Sequence, residues 1–226
     1  MNLSDTFQQL VNYLNLRAHD VHFAEGAETQ LQSLIAFAAE DQQGGRNAGY
    51  DGWSIDPEEG KVLYALARLL QPQQVLEIGV RQGASTAHLL AALDANGSGK
   101  LDSYDVEPSR ESVLSDRWTF HQGDALAADF PRAGLVFEDG AHGLDFSRTL
   151  YERLKPLAGV IVVHDYAMTP AHGDFFVKPA FDEAFPDGLA LSLDGCERGL
   201  AVWINPNWQP EAHEAPRKPA AKRARK

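Results

Sequence analysis

The most informative stretch of this sequence is Val75-Leu76-Glu77-Ile78-Gly79-Val80-Arg81-Gln82-Gly83-Ala84-Ser85-Thr86. Glu77 lies within a short run of apolar residues. A glycine-containing segment follows this run, and the residues after it favour a helix. This pattern predicts a buried strand, a tight turn and the start of a helix. In an open α/β sheet such a turn lies at the carboxyl end of a strand, where ligands bind beside a helix N-terminus. The stretch therefore predicts both an α/β fold and the position of its binding site.

The turn differs from the dinucleotide-binding pattern Gly-x-Gly-x-x-Gly. Arg81 stands at the second glycine position, where its side chain would crowd a pyrophosphate. The carboxylate of Glu77 would repel phosphate but suits a cationic group such as an α-amino group. Gly79 and Gly83 would let a ligand approach the backbone, so Gly79→Val is expected to block binding while leaving the fold largely intact.

Strand and helix patterns alternate along the rest of the chain. Strands are predicted at 75–78, 101–106, 118–121, 135–138, 160–164, 190–193 and 200–204. Helices are predicted from Pro57 onward and at 85–93, 109–116, 144–154 and 177–185. Crossovers separate the first five strands, whereas a hairpin-length connection joins the last two. The expected fold is therefore an α/β, Rossmann-like, doubly wound seven-stranded sheet, mostly parallel with a C-terminal antiparallel hairpin, plus N-terminal helices.

These motifs, in this order, resemble those of class I S-adenosylmethionine-dependent methyltransferases. The run Glu-x-Gly-x-x-x-Gly-x-Ser from Glu77 to Ser85 is similar to their first motif. Later segments resemble small-molecule O-methyltransferases, of the caffeoyl-CoA and catechol type at 56–63 and 75–80, and of the macrolide and sugar group at 137–142 and 159–166. The resemblance implies an enzyme that transfers a methyl group from S-adenosylmethionine to an oxygen of a small molecule.

The resemblance also implies which residues bind the methionine part of the cofactor. Glu77 would attract the ammonium group, and Ser85 would bind the carboxylate. Gly79 and Gly83 would let the cofactor approach the backbone, and Asp139, after the fourth strand, is a further candidate cofactor-binding residue.

Other acidic residues are candidates for the nucleoside part. A carboxylate at Asp105 can accept hydrogen bonds from both ribose hydroxyls. Glu107 is the alternative, because it lies two residues later on the same face. Asp124 would accept a hydrogen bond from the adenine amino group, and Ala125 would offer a backbone N–H.

The candidate catalytic residues follow the fourth and fifth predicted strands. Asp139 and Asp165 would lie above the same crevice as the glycine turn and could hold Mg²⁺, a further candidate cofactor. His142 is the predicted base for the acceptor hydroxyl. The catechol and caffeoyl-CoA types have Asn after the second aspartate, where this chain has Tyr166, and His164 is an alternative ligand. His164, His172 and Tyr166 are the next candidates for the base.

We divide the chain into N-terminal helices and a lid loop at 1–53, an S-adenosylmethionine-binding methyltransferase domain at 54–206 and a disordered basic tail at 207–226. Tyr50 and Trp53 could form the lid, and residues 166–178 are expected to help line the acceptor pocket. A second copy of the chain is a candidate partner, in a homodimer.

Composition narrows the partners and the compartment. The net charge of −12 arises despite the basic tail, so the body is strongly acidic and nucleic acid is an unfavoured partner. The single Cys196 excludes a disulfide framework. The sequence has no apolar run that could span a membrane and no signal-like start, so we expect no membrane partner and a cytoplasmic location.

Two alternatives to the methyltransferase hypothesis remain. A nucleotide-dependent oxidoreductase could use the same architecture, although Arg81 and the terminal hairpin disfavour it. A catalytically silent S-adenosylmethionine-binding protein would keep the pocket without turnover, although Asp139, His142 and Asp165 disfavour it.

Overall fold

The structure is a computed structural model that describes residues 5, 8–10, 12–13, 54–108 and 115–209. Several predictions fall outside these residues: most of the N-terminal helices, the lid residues Tyr50 and Trp53, most of the helix expected at 109–116, and nearly all of the basic tail.

Seven strands form one sheet in the order β3-β2-β1-β4-β5-β7-β6. Their bounds are β1 Gln74–Ile78, β2 Lys100–Asp105, β3 Trp118–Gln122, β4 Ala133–Glu138, β5 Ala158–Val163, β6 Leu189–Leu191 and β7 Leu200–Ile204. Strands β1 to β5 pair in parallel, whereas β7 is antiparallel to both β5 and β6. The predicted fold class is therefore confirmed, including the antiparallel final pair.

Within residues 54–108 and 115–209 the helices that cover the sheet are α1 Pro57–Leu70, α2 Ala84–Asn96, α3 Leu144–Leu154 and α4 Val177–Ala184. The start of α1 follows the predicted signals, with Asp56 before the helix and Pro57 at its first position. Single 3₁₀ turns at Ala125–Ala127 and Pro170–His172 were not predicted. In the described parts of the chain, no helix combines the length and apolarity needed to cross a membrane.

Two predicted strand ends are corrected by local side-chain chemistry. Strand β2 ends at Asp105 rather than at 106, because the Asp105 carboxylate accepts the backbone N–H of Glu107 at 2.9 Å and turns the chain. Strand β5 ends at Val163 rather than at 164, because Asp165 adopts a left-handed φ of 57°.

The core has two layers, one on each face of the sheet. Helices α1 and α2 pack on the face that includes Val75, Leu101 and Phe137. Helices α3 and α4 pack on the opposite face, with Leu76 and Ile161. This double coverage explains why the central strands are apolar on both faces.

The register brings the chemically important residues to one edge. Ile78 pairs with both Tyr104 and Glu138, and Glu138 pairs with Val163. The segments that follow β1, β2, β4 and β5 therefore meet at the carboxyl ends of the strands, as the topology rule for such sheets requires.

Candidate active site

A cavity of about 500 Å³ opens at this edge of the sheet. Its walls include most of the predicted site residues: Gly79, Asp105, Glu107, Asp124, Ala125, Asp139, His142 and Asp165. Glu77, Gly83 and Ser85 are not part of this wall as the structure describes it. The cavity therefore brings together the candidate nucleoside and catalytic residues, while part of the first motif lies beneath them.

The glycine turn is held against strand β4. Gly79 has a φ of 87°, and a Cβ atom at this position would lie 2.0 Å from the backbone oxygen of Asp139. The expectation that Gly79→Val would leave the fold largely intact is therefore wrong, because the added carbon would collide with backbone. Gly79 permits the approach of β4 to the turn, in addition to any approach of a ligand.

Glu77 is the hub of a buried hydroxyl network. Its side chain is fully buried and accepts hydrogen bonds from Ser85 Oγ at 2.6 Å, Thr86 Oγ1 at 2.8 Å and Ser103 Oγ at 2.5 Å. Burial, partly offset by these three bonds, raises the pKa of Glu77 to about 7. Glu77 and Ser85 thus contact each other, and together they tie β1 to α2 and β2. Gly83 precedes α2 as its N-cap.

Asp105 holds the turn from the end of β2. Its Oδ2 accepts the backbone N–H groups of Val80 at 2.8 Å and Arg81 at 3.0 Å, and its Oδ1 accepts that of Glu107 at 2.9 Å. Because each carboxylate oxygen can accept two bonds, Oδ1 keeps capacity for a ligand. Glu107 is exposed and lines the same cavity. Both candidate ribose ligands therefore lie where a nucleoside could reach them.

Asp124 and Ala125 form the wall beyond β3. Asp124 Oδ1 accepts the backbone N–H of Leu126 at 2.8 Å and so caps the short 3₁₀ turn. The backbone oxygen of Ala125 accepts a hydrogen bond from Arg153 at 2.9 Å, which anchors this turn to α3.

A buried acid–histidine–acid chain runs beneath the end of β4. His164 Nδ1 lies 2.9 Å from Asp139 Oδ1, and its Nε2 lies 3.0 Å from Glu59 Oε2. Burial disfavours a charged ring, but Asp139 and Glu59 outweigh it and raise the pKa of His164 well above its ordinary value. Both ring nitrogens therefore donate, and His164 links the start of α1 to the cavity wall.

His142 lies between Asp139 and Asp165. Its Nε2 is 2.8 Å from Asp165 Oδ2 and 3.9 Å from Asp139 Oδ1. The ring stacks on Phe175, with centroids 4.5 Å apart, which fixes its plane. Asp165 is buried, and its Oδ1 accepts a hydrogen bond from Arg198 Nη1 at 3.0 Å.

The charges around Asp139 and His142 shift the pKa values of these two residues in opposite directions. Burial would raise the pKa of Asp139, but the charges of His164 and His142 and the hydrogen bond from His164 lower it to about 2. Burial would lower the pKa of His142, but Asp139 and Asp165 raise it to about 9. His142 is therefore cationic at neutral pH in the protein alone.

The described residues fit a divalent cation poorly here. Atoms of Asp139, His164 and Asp165 cluster within 4.8 Å of one another, which is close enough for shared ligation. However, Arg198 already places a fixed positive charge 3.0 Å from Asp165 Oδ1, and that charge opposes a divalent cation at the same carboxylate. Tyr166, at the position of the expected third ligand, donates its hydroxyl to Asp182 at 2.6 Å. We therefore assign no catalytic step to a metal ion.

The sequence reasoning missed four residues that complete the site. Glu59 lies in α1 and Arg198 in the β6–β7 connection, so only the tertiary fold brings Glu59 to His164 and Arg198 to the cavity. Phe175 belongs to the segment 166–178, which was expected to lie near the acceptor, although its contact with His142 was not foreseen. Glu138 is buried, accepts the Tyr151 hydroxyl at 3.1 Å, and has its pKa raised to about 7 by burial.

Part of the chain is similar in sequence to known methyltransferases. Residues 76–166 match the family described as "Methyltransferase domain". Over 66 residues the chain is 36% identical to a catechol O-methyltransferase of Niastella koreensis, and this match covers 29% of each protein. The aligned part thus spans less than a third of that relative.

Solved structures share the fold over most of the chain. A putative O-methyltransferase from Klebsiella pneumoniae superposes with a TM-score of 0.55 and 19% identity, covering 84% of this chain and 95% of that one. The O-methyltransferase TomG from Streptomyces achromogenes, involved in tomaymycin synthesis and solved with S-adenosylmethionine, gives a TM-score of 0.54 and 23% identity, covering 76% and 89%. Residues 76–166 therefore match a methyltransferase family, and the chain as a whole shares the fold of solved O-methyltransferases.

Proposed function

We propose that this chain transfers the methyl group of S-adenosylmethionine to an oxygen atom of a small-molecule acceptor. One observation carries the proposal: a single cavity contains Asp105 and Asp124, suited to a nucleoside, and His142, suited to a reacting hydroxyl. Methyl transfer is an in-line displacement, so the main task of the protein is to hold the nucleophile, the methyl carbon and the sulfur in line. A cavity with a cofactor end and a base end meets that need.

In this proposal the first motif acts partly from beneath the cavity. The adenosine part lies between Asp105 or Glu107 and the Asp124 turn, and the methionine part lies against Gly79 and Asp139. Glu77 supports the glycine turn through Ser85 and the other hydroxyls that it accepts. Its contribution to binding the ammonium group is then mainly through the shape of the turn.

His142 takes the proton of the acceptor hydroxyl. Because Nε2 faces Asp165, the accepting atom is Nδ1, and Asp165 stabilises the resulting imidazolium. With a pKa of about 9 the ring holds a proton at neutral pH before the cofactor binds. The positive sulfonium of the bound cofactor would lower that pKa and release the proton. Cofactor binding thus prepares the base.

The acceptor that we favour is a phenolic hydroxyl. Its proton is acidic enough for a histidine base, and the name of the sequence relative, catechol O-methyltransferase, points to the same class. Relatives with solved structures are also named as O-methyltransferases, including one in the synthesis of a small molecule.

The test is transfer of a labelled methyl group from S-adenosylmethionine to a panel of catechols, monophenols and aliphatic alcohols. We expect label on a phenolic oxygen and formation of S-adenosylhomocysteine in equal amount. Binding of NADH in place of S-adenosylmethionine would overturn the proposal in favour of an oxidoreductase. Tight cofactor binding without transfer to any acceptor class would instead favour the silent binding protein.

A further inference from the structure

The buried carboxylate of Asp165 has a permanent cationic partner. Asp165 is 1% exposed, and its Oδ1 accepts a hydrogen bond from Arg198 Nη1 at 3.0 Å. A buried carboxylate is costly unless it is paired. An arginine side chain keeps its proton under all conditions in which proteins fold, so this positive charge is fixed.

The backbone places Arg198 at this position. The Arg198 carbonyl accepts the N–H of Ala167 at 2.6 Å, and the next carbonyl, of Gly199, accepts the N–H of Tyr166 at 3.2 Å. The β6–β7 connection is therefore bonded to the segment that directly follows Asp165. The side chain of Arg198 is 15% exposed and lines the cavity.

Resting on the proposed function, we propose that Arg198 takes the place in which the family resemblance predicts a divalent cation, and that methyl transfer by this chain needs no metal ion. The guanidinium neutralises Asp165 and leaves the aspartate in position to orient His142. Arg198 is thus a positioning residue that acts through Asp165.

The proposal has a consequence for the acceptor. A divalent cation that is completed by acceptor oxygens favours two adjacent oxygen atoms, as in a catechol. A guanidinium already bonded to Asp165 imposes no such requirement. We therefore expect monophenols and catechols of similar size to be methylated with kcat/KM values within about tenfold of each other.

The probe is Mn²⁺, measured by electron paramagnetic resonance on the full chain, with Asp165→Asn as the control for the site. Wild type is expected to show no Mn²⁺ binding that depends on Asp165, and to keep full activity in EDTA. Arg198→Met keeps the apolar stem but removes the charge, and should gain Mn²⁺ affinity by about tenfold or more. Arg198→Lys retains a charge and should remain metal-free.

Two results would overturn the proposal. One is Mn²⁺ binding by wild type that Asp165→Asn abolishes, together with loss of activity in EDTA. The other is an Arg198→Met variant that is folded by circular dichroism and gains no Mn²⁺ affinity. If Arg198→Met does not fold, the wild-type measurements still decide. A calorimetric titration with S-adenosylmethionine in EDTA tests the methyltransferase function separately from the proposal about Arg198. If S-adenosylmethionine does not bind, the methyltransferase function is contradicted, whatever the Mn²⁺ result.

Discussion

Two ends of the same sheet edge bury acidic side chains in different ways. At the β1–β2 end, Glu77 is surrounded by hydroxyl donors, and burial raises its pKa to about 7. At the β4–β5 end, His164 and His142 outweigh burial and lower the pKa of Asp139 to about 2. Strands β1 and β4 are neighbours, and Glu77 and Asp139 are both carboxylic acids. The difference between their pKa values therefore comes from the charge of their hydrogen-bond partners.

The comparison indicates that the β1–β2 end has a structural role, whereas the β4–β5 end holds the candidate catalytic residues. Neutral donors tie Glu77 to α2 and β2, which shapes the glycine turn without creating a reactive charge. The β4–β5 end instead gathers Asp139, His142, Asp165 and Arg198 around the cavity, where we propose that the acceptor proton is taken. We therefore expect substitutions at the first end to change stability and cofactor binding, and substitutions at the second to change turnover.

The largest effect is expected at His142. His142→Ala should reduce kcat by roughly 10²–10⁴-fold, the usual contribution of a general base, without weakening cofactor binding. The measurement is steady-state methyl transfer alongside calorimetry. His172→Ala is the matched comparison, because His172 is exposed and lies outside the cavity wall. A larger loss from His172→Ala would move the base to that residue.

The pH dependence of the same activity sharpens this assignment. The base must lose its proton, so kcat should rise with pH, with an apparent pKa below about 9, because the sulfonium lowers the value of the protein alone. If kcat does not change between about pH 6 and pH 9, which is roughly the range in which a perturbed histidine titrates, His142 is not the base.

A second large effect is expected at the glycine turn. Gly79→Ala places a carbon 2.0 Å from the Asp139 backbone oxygen at a φ of 87°, so it should lower the free energy of unfolding by about 3 kcal/mol or more. Gly97→Ala is the control, because Gly97 also has a positive φ of 69° but has nothing within 4 Å of the added carbon. Equal losses in chemical denaturation would show that conformational strain, not the contact with β4, explains the requirement.

Glu77 and Asp139 should also differ in how each makes the stability of the protein depend on pH. Because the folded pKa of Glu77 is raised, the folded state binds the extra proton, and stability falls as pH rises from about 4.5 to about 7. That interval corresponds to on the order of 3 kcal/mol. The lowered pKa of Asp139 has the opposite sign, so its contribution is lost as pH falls from 3.8 towards about 2.

Glu77→Gln isolates the first of these contributions. The free energy of unfolding of the variant, measured with denaturant, should depend less on pH between about 4.5 and 7 than that of wild type. Glu138 contributes the same pH dependence to both proteins, so the difference between them reports on Glu77. Glu152→Gln, on the exposed surface of α3, should leave the wild-type curve unchanged. Identical curves for Glu77→Gln and wild type would mean that Glu77 is ionised in the folded protein across this range.

The two ends also differ in how well the sequence predicts them. Local pattern was sufficient for the strands, for the turn at Gly79, and for the meeting of Asp139 and Asp165, because parallel strands place their carboxyl ends together. The partners of Glu77 were less accessible to prediction. Ser85 and Thr86 follow closely in the sequence, but the presence of Ser103 depends on the register between β1 and β2.

The charged partners could not be predicted at all from local pattern. Glu59 reaches His164 across 105 residues, and Arg198 reaches Asp165 across 33. An arginine in a hairpin connection usually faces solvent, and neither its spacing nor its neighbours indicate a buried carboxylate. The magnesium prediction depended on Asp139 and Asp165 without these partners, which is why the structure fits a bound cation less well than the sequence suggested.

The most direct test of the account is one calorimetric titration with S-adenosylmethionine, carried out on wild type, Asp105→Ala, Glu107→Ala and His142→Ala. We predict one site per chain in wild type and a loss of about 1–3 kcal/mol in Asp105→Ala, where a charged acceptor and the support of the turn are both removed. His142→Ala should bind no more weakly than wild type, because it removes a cation that opposes the sulfonium, and Glu107→Ala should lose less than Asp105→Ala. Absence of binding in wild type, or an equal loss in Asp105→Ala and His142→Ala, would contradict the division of the cavity into a cofactor end and a base end.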